Sequence, residues 1–583
     1  MAQMKRVFGE CMSLRSGTWV IRATGLLAGL ALLGGAASAN PRVGGAEATE
    51  LAAPAAAANA TIAPVLPCGA LAQFPTLETR PQPGVPDFFQ IPGAPTEISS
   101  ATVVAGTAQA PEYCDVQGVI APQISFELKL PTTTYEGRYM QMGCGGECGR
   151  IGSPSFPSCD LQPGGNFAVA ATDDGHTGAG VWAVDDQLRL DFAYRAVHVV
   201  SVAAKAIIAA YYGAAPQHAY FNGCSEGGRE GLEEAQRYPD DFNGIAAGAP
   251  ASIWAPLEIF QAWEARANVD AQGHPILTPD KLPALHSAVL AACDGLDGLV
   301  DGQINDPRLC HFDPGSMVCP SGTDAPTCLT AAQVEAVRKI YSGPVDARGE
   351  LLYPGGEPYG SELAWNGWMV QRAPGVPTAA ESLATDYFKF MAFRTNPPAS
   401  YTILDFPFTE QGFNSTLPLG ELYDATNPDL RAFRDRGGKL IMWQGWADQA
   451  IPPTGTPDYY DAIQDRMGGL TATQQFARLF MFPTMYHCAG GYGPDQFDVV
   501  NPLVHWVELG QAPDKIVATE TSNGQPSGSI VRTRPVFAYP EQAAYTGSGS
   551  IDDAANFVGV MPSPPPADDI KWLGQNLFKA HEE

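Results

Sequence analysis

Positive charge is scarce in this chain. Lys and Arg number 34 against 62 Asp and Glu, so the formal net charge is −28. A surface of that sign repels phosphate backbones and anionic lipid, which argues against nucleic-acid partners. Charge of either sign is thin: 16 % of residues are Asp, Glu, Lys or Arg, against about a quarter in an average soluble protein. Beyond the N-terminus no segment approaches the roughly 18 uninterrupted apolar residues of a membrane span, and no internal repeat is visible. What the chain does have is 45 % hydrophobic residues, 62 Gly and 51 Pro in 583 positions. That describes a loop-rich globular protein with a sizeable core, too long for one ordinary domain.

The N-terminus reads as an export signal. Lys5, Arg6, Arg15 and Arg22 precede an apolar stretch from Ala23 to Ala36 that ends in Ala37-Ser38-Ala39, a basic region, a short apolar core and an A-x-A cleavage site. Residues 1–39 are expected to leave. The mature chain then starts near Asn40, secreted or periplasmic, with no membrane contact after cleavage; an uncleaved anchor is the alternative. Of the 12 Cys, Cys11 goes with the signal, and the odd remainder sits where disulfides are the default. Spacing suggests Cys68–Cys114, Cys293–Cys310 and Cys319–Cys328. Cys144, Cys148 and Cys159 cluster without a decided pairing, while Cys224 and Cys488 each stand far from any other.

After an Ala/Pro-rich lead-in to about residue 65, the pattern from about 115 is of short apolar runs ending in Gly-rich turns. Arg138–Met142 enters Gly143-Cys-Gly-Gly146, Phe167–Ala171 enters Thr172-Asp-Asp-Gly-His176, and His218–Phe221 enters Asn222-Gly-Cys-Ser-Glu-Gly-Gly228. Val199, Val202, Ala203 and Ile207 recur at helical spacing within 190–212, which predicts a helix there. Such alternation argues for a parallel α/β sheet. Past Pro250 the character changes to tryptophans, prolines, two Cys pairs and an Asp-rich loop. Sheet-like runs resume at 439–443 and 477–482. The division read from this is 40–250 as the first part of an α/β core, 251–430 as a large insertion over the strand ends, and 431–583 as the second part with a C-terminal tail.

Gly223-Cys224-Ser225-Glu226-Gly227 is the one G-x-S-x-G in the chain. By itself the pattern is weak in a Gly-rich sequence, where a solvated Ser in a turn is the plain alternative. Its setting strengthens it, because a strand-like run precedes it and a helix-like run, Arg229 to Tyr238, follows. That is what a nucleophile elbow needs: Gly for the tight turn, Ser at the strand end, and a helix N-terminus facing the developing oxyanion. An α/β-hydrolase then needs an acid and a His, in that order, after later strands. Asp448 and His487 fit, following the runs at 439–443 and 478–482. Asp173 and His176 also follow a strand but precede the Ser, and a turn role suits them better. Cys224 immediately precedes the candidate nucleophile and Cys488 immediately follows the candidate base. If Ser225 and His487 meet, these cysteines come within the roughly 4.4–6.8 Å Cα range of a disulfide.

Gly-Cys-Ser-x-Gly-Gly-Arg-Glu at 223–230, Gly-Trp-Ala-Asp at 445–448 and His-Cys at 487–488 together resemble the tannase/feruloyl esterase family over about residues 65–560. The resemblance implies an exported α/β-hydrolase with a lid domain at 251–430, cleaving esters of aromatic acids. It implies a disulfide between Cys224 and Cys488, and an oxyanion hole from the backbone N–H groups of Glu226 and Gly143. A further C-terminal disulfide common in the family's terephthalate enzymes has no counterpart, since no Cys follows Cys488.

Cys293-Asp294-Gly-Leu-Asp297-Gly-Leu-Val-Asp301-Gly-Gln303 places carboxylates three and four apart among glycines. Hard cations take about six to eight oxygens from such a loop, although spacing alone suits a solvated acidic loop equally well. The resemblance implies a structural Ca2+ held by the carboxylates of Asp294, Asp297 and Asp301 and the carbonyls of Leu299 and Gln303, with Cys293–Cys310 closing the loop.

The resulting expectation is a secreted serine carboxylesterase acting on a small aromatic (feruloyl- or galloyl-like) ester. Ser225 is the nucleophile, His487 the base and Asp448 its orienting acid. Trp365, Trp368, Tyr387, Phe388 and Phe390 are candidate walls for the acyl group, although aromatics at such spacing are more often core. Hydrolysis of mono(2-hydroxyethyl) terephthalate is the rival within the class. It needs a cation for the free carboxylate where the aligned position falls near Glu381, with Arg372, Lys389 and Arg394 as substitutes. A non-catalytic polyphenol- or glycan-binding protein is the rival outside the class. The oligomeric state is open.

Overall fold

The runs read as strands are short and buried at nearly every residue. In the structure, a computed structural model describing residues 60–72, 84, 86–108, 110–152, 165–178, 180–563 and 570–579, they form the centre of one nine-stranded sheet. The expected signal at 1–39 and Cys159 lie outside the described residues. The strands are β1 (Thr96–Val104), β2 (Tyr113–Ile120), β3 (Ile124–Pro131), β4 (Arg138–Met142), β5 (Phe167–Thr172), β6 (His218–Cys224), β7 (Gly244–Gly248), β8 (Lys439–Gly445) and β9 (Ala477–Phe482), in the order β1-β2-β3-β5-β4-β6-β7-β8-β9. From β5 to β9 all neighbours are parallel. β1, β2, β3 and β5 pair antiparallel. The antiparallel edge escaped the sequence reading because β1 alternates buried and exposed residues rather than forming a continuous apolar run.

Adjacent residues of the parallel strands feed two different cores, as the period of two requires. Tyr139, Phe221 and Leu440 point into one, while Met140, Tyr220 and Ile441 point into the other. Helix α1 (Ala196–Tyr212) fills the first core with Val199, Val200, Ala203, Ile207 and Ile208, and ends on Gly213 in the left-handed conformation. A helical turn over Asp186–Leu190 and a π-helical turn over Asp191–Arg195 precede it, so helix begins four residues before the predicted Leu190. The whole run Asp186–Tyr212 is long and apolar enough to cross a membrane, and 61 % of its apolar window is buried inside the molecule.

Helix α2 (Glu226–Arg237) starts directly after β6, three residues earlier than predicted. Between β7 and β8 the chain leaves the sheet altogether. This segment opens with α3 (Trp254–Ala267), and residues from Ala267 to Val370 build a separate apolar cluster around Leu277, Leu285, Val337, Ile340 and Trp365.

Five disulfides join the described cysteines: Cys68–Cys114, Cys144–Cys148, Cys224–Cys488, Cys293–Cys310 and Cys319–Cys328. Cys144 and Cys148, whose pairing the sequence left open, are thus joined to each other.

Candidate active site

Ser225 stands between β6 and α2 with φ 69° and ψ −121°. A positive φ is strained for a residue with a side chain, and strain of this kind persists only where surrounding bonds hold it. Here the Ser225 N–H donates to Gly248 O at 3.0 Å, and the Ser225 carbonyl accepts from Gly228, Arg229 and Ala251 at 3.0–3.2 Å. The turn is also sterically exclusive. A Cβ on Gly223 would lie 2.4 Å from the Gly227 carbonyl oxygen, and one on Gly227 would lie 2.9 Å from that of Cys144.

Asp448 and His487 follow β8 and β9 and meet. His487 Nδ1 lies 3.0 and 3.1 Å from the two carboxylate oxygens of Asp448. Asp448 is fully buried, and its Oδ1 also accepts the N–H groups of Ala450 at 2.9 Å and Ile451 at 3.0 Å. Those bonds hold the carboxylate as an acceptor for Nδ1–H, the tautomer in which Nε2 of a neutral imidazole carries no proton. The Cys224–Cys488 bridge, with its Cα atoms 6.0 Å apart, ties the residue before Ser225 to the residue after His487. No hydrogen bond joins Ser225 to His487 among the described residues.

The Glu226 N–H opens α2 beside the nucleophile, and its side chain turns away to pair with Arg229, both fully buried. Burial pushes the Glu226 carboxyl up to about 7, with Arg229 opposing the shift. The Gly143 N–H, expected as the second oxyanion donor, is engaged elsewhere. It donates to Asn222 O at 3.0 Å, continuing the β4–β6 ladder by one residue. A donor spent in the ladder is not presented to a substrate oxygen, so the structure corrects that expectation.

Asp173 and His176 take no part in the site. Asp173 Oδ1 accepts the N–H groups of Ser125 and Gly175, both at 2.9 Å, which is a turn role. His176 is buried and stacked on Trp182 with ring centroids 4.0 Å apart, and burial pulls it down to about 4.

The candidate aromatic walls divide. Trp368 is half-buried, and its ring centroid lies 6.5 Å from that of His487. Trp365 is 0 % exposed, with its indole N–H donating to Ser361 and Glu357 inside the segment's own core. Tyr387 and Phe388 are buried in the cluster around α3, and the half-buried Phe390 packs on the same cluster. Core packing therefore claims Trp365, Tyr387 and Phe388. A cavity of about 220 Å³ lies by Arg308, Glu357, Trp446 and Asp458, and none of Ser225, Asp448 and His487 lines it.

The acidic loop has the donor chemistry of a hard-cation site. Gly298 and Gly302 are left-handed and curl it, and Cys293–Cys310 closes it. Asp297 is held up first by burial and also by the neighbouring Asp301 and Asp294 carboxylates, so the three acids repel one another. No donor among the described residues reaches the carbonyls of Leu299 or Gln303. Asp294 turns its oxygens to the N–H groups of Asp301 and Gly302, at 3.1 and 3.0 Å. Asp301 already has a cationic partner, because Arg534 reaches its Oδ2 at 2.5 Å. The loop thus carries three carboxylates on one curled segment, one of them, Asp301, already paired with Arg534. A second grouping, Cys144, Cys148, Asp174 and Glu230, brings its ligand-type atoms within 4.8 Å of one another. Its sulfurs are bonded to each other and offer no thiolate, so it is not a metal site.

The profile of the tannase and feruloyl esterase family matches residues 104–560. The chain is similar to an uncharacterized esterase of Xanthomonas campestris, 37 % identical over 80 % of this chain and 89 % of that protein. It is 34 % identical to the mono(2-hydroxyethyl) terephthalate hydrolase of Piscinibacter sakaiensis over 79 % of this chain and 87 % of the relative. Among solved structures, feruloyl esterase B from Aspergillus oryzae superposes with a TM-score of 0.70 at 27 % identity, covering 80 % of this chain and 97 % of that one. With the profile spanning most of its length, the chain belongs to the tannase and feruloyl esterase family and is a carboxylic ester hydrolase.

Proposed function

We propose that the protein is an exported serine esterase that cleaves esters of aromatic acids through an acyl-enzyme. The observation that supports this is the Asp448–His487 contact together with the Cys224–Cys488 bridge, which ties the chain neighbour of Ser225 to that of His487. His487 Nε2 takes the Ser225 hydroxyl proton as Oγ attacks the ester carbonyl carbon, and Asp448 stabilises the imidazolium through Nδ1–H. The Glu226 N–H, at the positive end of α2, receives the oxyanion. Collapse expels the alcohol, which takes the proton from His487. Water activated by the same imidazole then releases the acid. Trp368 is the aromatic wall nearest the base. The insertion at 251–430 acts as a lid, and Ca2+ on Asp294, Asp297, Asp301, Leu299 and Gln303 is a structural ion within it. Export agrees with the five disulfides.

A second reading has one observation in its favour. Arg372 folds over Gly367, next to Trp368, and makes no ion pair among the described residues. A cation there would hold the free carboxylate of an aromatic diacid monoester, as the similarity to a terephthalate hydrolase suggests. Kinetics on feruloyl, galloyl and mono-terephthaloyl esters decide between the two. Ser225→Ala and His487→Ala are each expected to lose on the order of 10³-fold or more in kcat, with labelling by a fluorophosphonate confined to Ser225. Substantial turnover by Ser225→Ala removes the assignment, and absence of labelling with no turnover favours the binding-protein alternative.

A further inference from the structure

β4 and β5 leave the sheet side by side, and both exits abut α2 behind the nucleophile. The Gly143 exit is clamped tightly: a Cβ there would lie 2.6 Å from both Glu230 Oε2 and the Gly227 Cα. The Cys144 peptide that follows is held at both ends. Its N–H donates to Glu230 Oε2 at 3.0 Å, and its carbonyl accepts the Gly227 N–H at 3.0 Å. Glu230 therefore links the loop after β4 to the helix that carries Ser225.

Glu230 does not stand alone. Asp174, in the left-handed conformation just after β5 and 0 % exposed, faces it: carboxyl oxygens of the two lie within 4.8 Å of each other, and Asp174 Oδ1 is buried with no hydrogen-bond partner among the described residues. The joined sulfurs pack over the two carboxyls, Cys144 Sγ lying 3.3 Å from Glu230 Oε1 and Cys148 Sγ 3.3 Å from Asp174 Oδ2. Two buried carboxyl groups in contact cannot both be ionised. Their close approach in a buried site is favourable only with a proton on one of them.

We propose that Asp174 and Glu230 share one proton and act as a positioning pair for ester hydrolysis, Asp174 donating to Glu230 and Glu230 holding the Cys144 N–H so that the loop after β4 stays in register with Ser225. The surroundings decide which acid keeps the proton. Burial pushes Asp174 well above the usual carboxylate range, and Glu230 and Glu226 reinforce this against Arg229. Glu230 is also raised by burial, but a protonated Asp174, Arg229 and the Cys144 N–H all favour its ionised form. From α2 the charged groups bearing on the pair are Glu226, Arg229 and, one turn on, Glu234. The β4 loop presents the sulfurs, and its Glu147 turns to the Gly180 N–H. On the β5 turn, Asp173 is bound to Ser125 and Gly175, and His176 is held neutral by burial.

The inference rests on Ser225 as the nucleophile, which fluorophosphonate labelling of the wild type checks separately. The test measures kcat, KM and Tm for wild type, Asp174→Ala and Asp174→Asn across neutral and alkaline pH. Alanine removes the donor, and kcat is expected to fall about 10-fold or more with KM little changed, since small displacements near a nucleophile are costly. Asparagine mimics the protonated acid, and kcat at neutral pH is expected to return to within about 3-fold of wild type. Wild type should also lose kcat reversibly at alkaline pH where the Asp174→Asn variant does not. Asp174→Asn as impaired as a folded Asp174→Ala, or Asp174→Ala as fast as wild type, overturns the proposal. If Asp174→Ala does not fold, the alkaline comparison stands alone, and identical profiles for wild type and Asp174→Asn overturn it.

Discussion

Cys224 and Cys488 are 264 residues apart in sequence and 6.0 Å apart at Cα, and each is the chain neighbour of one half of the candidate nucleophile–base pair. The bridge thus spans the whole insertion between β7 and β8 and anchors the loop after β9 to the end of β6.

Replacing both cysteines with serine is expected to lower kcat more than it lowers secondary structure, because the bridge fixes base against nucleophile. In the chain-entropy model a loop of this length contributes roughly 5 kcal/mol, so Tm should fall as well. Steady-state kinetics beside circular dichroism on the double variant check this. A stable double variant with unchanged kcat counts against the positioning role.

Chelation is expected to lower Tm by several degrees and added Ca2+ to restore it, since an ion bound only by the folded state stabilises by mass action. Asp297→Asn, which removes one of three mutually repelling acids, should weaken the response to Ca2+. Elemental analysis of undialysed protein is the second readout, and a calcium-free protein insensitive to chelator would rule the ion out.

Arg372→Gln separates the two substrate readings. If Arg372 holds a free carboxylate, KM for the mono-terephthaloyl ester should rise about 10-fold or more, while that for a neutral feruloyl ester moves far less. Equal effects on both esters would take Arg372 out of recognition.

Burial, reinforced by Asp386, pushes the Glu147 carboxyl up to about 8 from 4.5. Between these values the unfolded chain has released the proton and the folded one keeps it, so this group's contribution to stability falls as pH rises from about 4.5 to 8. Glu147→Gln retains an acceptor for the Gly180 N–H. It should match wild-type Tm near pH 4 and exceed it at pH 8, where the stability difference is on the order of a few kcal/mol. Thermal melts at the two pH values measure the difference, and a Tm gap independent of pH would contradict it.

The local signals are legible because local physics produces them. The glycines at 223 and 227, flanking strand and helix, announce a turn at Ser225 that few other sequences tolerate. The cysteines of Cys68–Cys114, Cys293–Cys310 and Cys319–Cys328 lie 46, 17 and 9 residues apart, near enough along the chain for spacing to pair them. The acidic loop is likewise one continuous segment.

What depends on strand order was decided only in three dimensions. Residue spacing does not record that β4 lies beside β6, yet that adjacency gives the Gly143 N–H to Asn222 and takes it from the oxyanion hole. Trp365 and Trp368 are three residues apart and indistinguishable by type. A short helix over Glu362–Trp365 turns the first into the core, while the second ends near His487. Asp174 and Glu230 sit on different elements and become partners only because the exits of β4 and β5 both close on α2. In the parallel half of the sheet, strand, turn and helix were legible along the chain, because propensity and burial period act within a few residues. The tertiary structure alone decided which amide donors, carboxyls and rings face each other, because those contacts follow from the parallel register of strands far apart in the chain.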